Sequence, residues 1–153
     1  MTTTSPNPAS PQPASPQPSS PQPAPIVPDP TPTAQPFWDA LAAGRVDLQH
    51  CADCGQWVYY PRSRCSQCMS RNLAWETISG EGVLHTFTIA RQPTTPAFHQ
   101  VHNLILAVVQ LDEGPKVTTS LENVAEAEVR IGMRVRPYFR PAGDLTLLRY
   151  QPG

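Results

Sequence analysis

The pattern of apolar and polar positions splits the chain into two unlike parts. Up to Pro36 neither a 3.6-residue nor a 2-residue apolar period is present. Thirteen of the twenty prolines fall there, and Asp29 is the one charged side chain. Such a stretch cannot bury enough apolar surface to offset its ordering entropy. Residues 1–35 are therefore expected to be a disordered, proline-rich tail of polyproline II character. Ser10–Ala14, Ser15–Ser19 and Ser20–Ala24 read SPQPA, SPQPS and SPQPA. That period is too short for a solenoid and suits a spacer.

From Pro36 the pattern changes. Pro36 suits the first turn of a helix, Phe37, Trp38 and Leu41 form its apolar side, and Gly44 is its stop. Val46, Leu48 and His50 alternate, which predicts a short lead-in strand, so a helix and strand fill 36–48. A cysteine-rich segment occupies 49–75. "LAWETISGEGVLHTFTIAR" then reads as strand, with a turn or bulge at Gly80 and Gly82. "LILAVVQL" is a continuous apolar run of the length of a buried strand. "DEGP" is a turn, after which "KVTTSLE" pairs back as a hairpin. "VAEAEVRIG" predicts a short helical turn ending at Gly132. "MRVRPYFR" and "LTLLRY" are the last strands, parted by "PAGD". The expected fold class is mainly β. About five strands over 76–153 fit a barrel of the OB type, and a small sandwich fits the same order.

Charge and hydropathy narrow the function. Beyond the tail, eleven Lys and Arg balance eleven Asp and Glu. A neutral body has no bulk attraction to nucleic acid or to an acidic membrane. No run approaches the eighteen apolar residues of a membrane span, and the N-terminus has no charged and apolar regions of a signal peptide. A cytoplasmic protein is expected.

All four cysteines lie in "HCADCGQWVYYPRSRCSQC", as two CxxC pairs separated by ten residues. Each pair sets two sulfurs on one side of a metal, and the second pair completes a tetrahedron. Cys51, Cys54, Cys65 and Cys68 are thus the expected ligands of one structural zinc per chain. Gly55 follows the first pair, where the knuckle needs positive φ; Met69 follows the second. Iron in the same four-sulfur set remains open. Disulfides are disfavoured without an export signal. A closed four-sulfur site has no open position, so it folds a minidomain and does not catalyse. Four thiolates leave His50 unneeded.

Other chemistry is sparse. No nucleophile elbow, P-loop, HExxH or dinucleotide fingerprint occurs. His85 is a lone strand histidine. His99 and His102 form HxxH in a proline-containing loop with no third ligand. A catalyst in its own right is not expected.

The order of a short helix "FWDALAAGRVDLQHC", a CxxC ribbon with "YYPRSRC", "ISGEGVLHTFTIAR", "LDEGPKVTTSLE" and "VRIGMRVRPYF" resembles a known family. This is the zinc-ribbon plus OB-fold family associated with acyl-CoA metabolism, long known as a domain of unknown function. The resemblance covers Pro36 to Pro152 and leaves out the tail. It implies an N-terminal helix, a rubredoxin-like zinc ribbon and a five-stranded OB barrel. It also implies a non-catalytic accessory subunit that binds acyl-CoA, docks on a thiolase-like or lipid-transfer-protein-type thiolase or aldolase, or does both. Steroid or fatty acyl-CoA breakdown is the implied setting, with a hydratase as a further partner. The four cysteines match the family's metal positions.

A CoA thioester would be met by arginines and aromatic rings. Arg62 and Arg64 stand beside Tyr59 and Tyr60. Arg134, Arg136, Tyr138 and Arg140 alternate, so on a strand they share one face, with Val135 and Phe139 on the other. Arg91 adjoins the loop "QPTTPAFHQVH", where Phe98 is the candidate partner contact. These arginines are the candidate acyl-CoA ligands. They also leave open a second reading, a module binding single-stranded nucleic acid, as ribbons and OB barrels often do. The neutral body and single Lys116 weigh against it.

Overall fold

The computed structural model describes residues 27–92 and 104–153. The first part of the tail and the loop carrying Phe98, His99 and His102 lie outside the described residues.

One helix opens the fold, α1 (Gln35–Ala42), with Pro36 in its first turn. Gly44 ends it with φ +73°. The Gly44 amide donates to the Leu41 carbonyl and the Arg45 amide to the Ala40 carbonyl, each at 3.0 Å. This pair of bonds is a Schellman cap, and it needs the left-handed residue that glycine supplies. Phe37, Trp38, Ala40 and Leu41 are buried. Ala34, ahead of the helix, is buried too. No helix among the described residues is long and apolar enough to cross a membrane.

The chain then builds a three-stranded antiparallel sheet in the order β2–β1–β3. Its strands are β1 (Val46–Cys51), β2 (Trp57–Val58) and β3 (Leu73–Ile78). β3 pairs with β1 along its whole length, from Val46↔Ile78 to Cys51↔Leu73. "LAWETI" therefore belongs to the cysteine-bearing sheet. The glycine break that follows is the crossing from this sheet to the next.

The second sheet is a closed barrel of β4 (Gly82–Ala90), β5 (Leu104–Leu111), β6 (Lys116–Leu121), β7 (Arg134–Ala142) and β8 (Leu145–Pro152). Its order is β4–β5–β6–β8–β7, with β7 returning to β4 at Gly82↔Val135 and Val83↔Arg134. β6 meets β8 in parallel at Leu121↔Tyr150. This is the five-stranded OB arrangement, so the barrel holds and the sandwich does not. The helical insert before β7 is a single 3₁₀ turn, Glu126–Glu128.

Leu84, Val109, Val117, Val135 and Tyr150 fill the barrel and are fully buried. The apolar run of β5 is not buried on both faces as its sequence suggests. Ile105, Ala107, Val109 and Leu111 point inward, while Leu106 is 42% exposed. A small barrel has one dry face per strand, so the other side of such a run meets solvent.

α1 packs against β1 and β8 and ties the two sheets together. Phe37 meets Trp38, Tyr59 and Tyr60 edge-on, with ring centroids 5.4, 6.1 and 5.6 Å away. One apolar cluster runs from the helix through β1 into the barrel.

Tyr59 gives this junction an alkaline limit. Burial pushes its pKa up to about 12, Tyr60 adds to the rise and Arg149 opposes it. The unfolded value lies near 10. Stability is therefore whole below pH 10 and falls as pH climbs from 10 to 12. The expected loss is about 2–3 kcal/mol. Urea midpoints between pH 8 and 11.5 should decline above pH 10, and Tyr59→Phe should flatten that decline. Buried Tyr150, raised in the same way, adds to the slope. A level wild-type profile would refute the assignment.

Candidate metal centre and the surface around it

The two CxxC turns fold alike. In the first, the Gly55 amide donates to the Cys51 carbonyl at 2.8 Å and the Cys51 amide to the Gln56 carbonyl at 2.9 Å. In the second, the Met69 amide donates to the Cys65 carbonyl at 3.1 Å and the Cys65 amide to the Ser70 carbonyl at 2.8 Å. Gly55 has φ +71° and Met69 has φ +64°. The second knuckle thus puts a side chain where the first has glycine. The left-handed region costs a non-glycine residue about 1–2 kcal/mol. The Met69 side chain is 61% exposed and packs little. Met69→Gly is expected to stabilise the protein by about 0.5–1 kcal/mol, after glycine's entropic cost. Denaturant titration of the metal-loaded protein checks this, and a loss of stability would refute it.

Polar side chains lock the knuckles to each other. The Asp53 carboxylate accepts from the Ser70 hydroxyl, and from Asn72 Nδ2 at 2.9 Å. These bonds hold its pKa below the ordinary carboxylate value. The Ala52 amide donates to the Asn72 carbonyl at 3.0 Å. Buried Gln49 clasps the backbone of Arg62 twice, its Nε2 donating to the carbonyl at 3.0 Å and its Oε1 accepting from the amide at 2.8 Å. His50 has its two ring nitrogens against Glu76 Oε1 at 2.9 Å and the Gly55 carbonyl at 3.1 Å, and stacks on Trp57. It supports the first knuckle from outside the sulfur set.

The four Sγ atoms lie within 4.8 Å of one another. Cys51–Cys68 and Cys54–Cys65 are 3.6 Å apart. A zinc–sulfur length of 2.3 Å gives a tetrahedron with edges of about 3.8 Å. Cys51 and Cys65 are buried, Cys54 and Cys68 exposed. The thiols also differ in acidity. Amides of Cys68 and Gln67 draw Cys65 down to about 7. Cys54 gains a lowering bond from Gln56, but Cys68, desolvation and the other thiols hold it at about 12. Four sulfurs this close cannot all ionise without a cation between them. Donor type, number and spacing all fit one tetrahedral divalent metal, as in a structural zinc site.

The arginine candidates are spread over several elements. Arg134, Arg136 and Arg140 do share the outer face of β7, with Val135 inward. Arg134 grips Asp112 through both terminal nitrogens at 2.8 Å and reaches Glu81 at 3.1 Å. Arg140 pairs with Glu122 at 2.6 Å. Arg136 donates to the Pro152 carbonyl at 3.3 Å. Arg91, at the end of β4, makes a two-pronged pair with Glu126. Arg64 donates to the Met69 carbonyl at 3.1 Å. Arg62 is exposed beyond its clasped backbone. His85 Nε2 is 3.1 Å from Lys116 Nζ, on the outside of the barrel.

A four-sulfur ribbon set ahead of a closed five-stranded barrel defines the zinc-ribbon/OB class. Two family models agree. One, the rubredoxin-like zinc ribbon domain of ChsH2, matches residues 38–74, and the other, the C-terminal OB-fold domain of ChsH2, matches residues 75–140. The chain belongs to this ChsH2-type, or DUF35, family. It is 31% identical over 120 residues to a probable enoyl-CoA hydratase alpha subunit of Thermomonospora curvata. That match takes in 76% of this chain and 36% of the relative, so the chain spans about a third of that subunit's length. A DUF35 domain-containing scaffold protein of Pyrococcus furiosus is 38% identical over 81 residues, covering 53% of this chain and 59% of the relative. Among solved structures, a chain of the Ltp2-ChsH2(DUF35) aldolase superimposes with TM-score 0.72 at 28% identity. The superposition covers 82% of this chain and 98% of that one.

Proposed function

We propose that this chain is a non-catalytic accessory subunit of an acyl-CoA-processing enzyme. It docks on a partner of the thiolase-like or lipid-transfer-protein aldolase type and meets the acyl-CoA substrate there. The observation that carries this reading is the likeness to a chain of the Ltp2-ChsH2(DUF35) aldolase along 98% of that chain's length. Relatives named as a hydratase alpha subunit and as a scaffold protein point the same way. The described residues hold one cluster of metal-ligating side chains, and its four sulfurs leave no position for a substrate. Four thiolates on a metal suit the reducing cytoplasm. Nucleic acid is the weaker reading, because Arg134 and Arg140 are matched by Asp112, Glu81 and Glu122.

A tagged pull-down from the native host, with mass spectrometry, tests the assignment. An acyl-CoA enzyme at near-equal amount is the expected result. Recovery of the chain alone, or with nucleic acid, would overturn it. Of the six candidate arginines, Arg62 has no side-chain hydrogen bond among the described residues. It is the first to replace when acyl-CoA binding to the recovered assembly is measured.

A further inference from the structure

A cavity of about 230 Å³ opens where α1, the loop after β2 and the barrel meet. Phe37, Trp38, Tyr59, Tyr60, Leu147 and Arg149 line it. Its walls are aromatic and its charge is Arg149. That residue sits in an otherwise apolar stretch of β8, and its Nε is buried with no hydrogen-bond partner among the described residues. Desolvation holds its pKa below the ordinary arginine value; Glu122 and Tyr59 oppose that effect and Arg140 adds to it. Glu122 makes no hydrogen bond to it among the described residues, being bound to Arg140 at 2.6 Å. A second donor is present. The Tyr60 hydroxyl accepts from Trp38 Nε1 at 2.8 Å, which leaves its own proton to give.

A half-buried guanidinium whose Nε has no hydrogen-bond partner carries a desolvation cost, which Glu122 offsets only through space. Nε is sealed from solvent, so the fork open to a ligand is the pair of terminal nitrogens, which with one positive charge suits a carboxylate taken through two parallel bonds. The lining rings stand edge-on to one another, and such apolar walls suit an aromatic body that can stack on one and meet another edge-on. The volume is below the roughly 300–1,000 Å³ of pockets for drug-sized ligands, so a whole coenzyme is too large. We propose that this cavity is a receptor for a small monoanionic carboxylate with a planar apolar body, held by Arg149 and Tyr60. The site is separate from the metal centre and does not depend on the docking reading.

The test uses the full chain without partner, and benzoate as the probe. Benzamide, its uncharged isostere, is the control. The Trp38 indole N–H signal reports binding by NMR. Benzoate should shift it saturably, and benzamide at least tenfold more weakly. Arg149→Met should weaken benzoate more than tenfold, leave the metal content unchanged and raise Tm, since a desolvated charge is removed. Tyr60→Phe keeps the ring and should weaken benzoate about three- to tenfold. No saturable shift, equal binding of benzamide, or a lower Tm for Arg149→Met would each overturn the proposal.

Discussion

Replacing Cys51 and Cys54 by serine is expected to release the metal and melt the ribbon while the barrel stays folded. The ribbon's own apolar cluster consists of Cys51, Val58 and Cys65, with Leu73 against it. Two of its three buried members are metal ligands. Without the metal the segment loses most of its cohesion, and the hydrogen bonds of Asp53 and Gln49 cannot make that good. Structural zinc contributes about 10–16 kcal/mol to folding in small ribbon and finger peptides. The damage should nevertheless be local. Val46 and Leu48 of β1 belong to the other cluster, with Leu84, Val109 and Tyr150 of the barrel. Elemental analysis should find one metal per wild-type chain and none in the double variant. Amide resonances of the knuckles should collapse while those of the barrel strands persist, and a chelator should act on the wild type in the same way. A native protein without metal, or a variant with an intact ribbon spectrum, would defeat the argument.

Why that centre was legible in the sequence, and much around it was not, has a physical cause. Metal ligation is encoded by residue type and short spacing, so Cys51, Cys54, Cys65 and Cys68 announce themselves. The α1 cap is equally local, since the bonds of Gly44 to Leu41 and of Arg45 to Ala40 lie within a few residues. Period-2 alternation marks "LAWETI" as a strand but carries nothing about its partner, and β3 turned out to pair with β1. The alternation of Arg134, Arg136 and Arg140 predicted their common face correctly. Their acidic partners, Asp112, Glu81 and Glu122, come from other turns and strands, and no pattern along β7 points to them. Gln49 and Asp53 read as ordinary polar residues, because their work depends on a loop brought back by the sulfurs. Arg149 had one signal, a charge inside the apolar run "LTLLRY". Only the packing of α1 over β8 shows that its Nε is buried without a hydrogen-bond partner.

The "GEG" ahead of the first barrel strand also carried the family resemblance, and the structure gives it a reason. At Gly80, φ is +66° and a Cβ would come within 2.9 Å of Pro137 Cγ and of Val46 Cγ2. At Gly82, which pairs with both Leu111 and Val135, a Cβ would lie 2.2 Å from the Gln110 carbonyl oxygen. That neighbour is backbone, paired on both sides through Val83↔Gln110 and Gln110↔Lys116, so it cannot swing aside. Here β4 is held between β5 and β7, at the place where β7 closes the barrel. Gly82→Ala is expected to cost about 3 kcal/mol or more, above the usual overpacking penalty. Tm should fall by about 10 °C or more. Gly143→Ala is the control, since Gly143 has φ +60° and nothing within 4 Å of an added Cβ. It should lose about 1–2 kcal/mol from left-handed strain alone. Thermal unfolding of the two metal-loaded variants separates lack of space from backbone strain. Equal losses would mean that β4 and β5 yield freely at the seam, and the glycine at 82 would then place no constraint on closing the barrel.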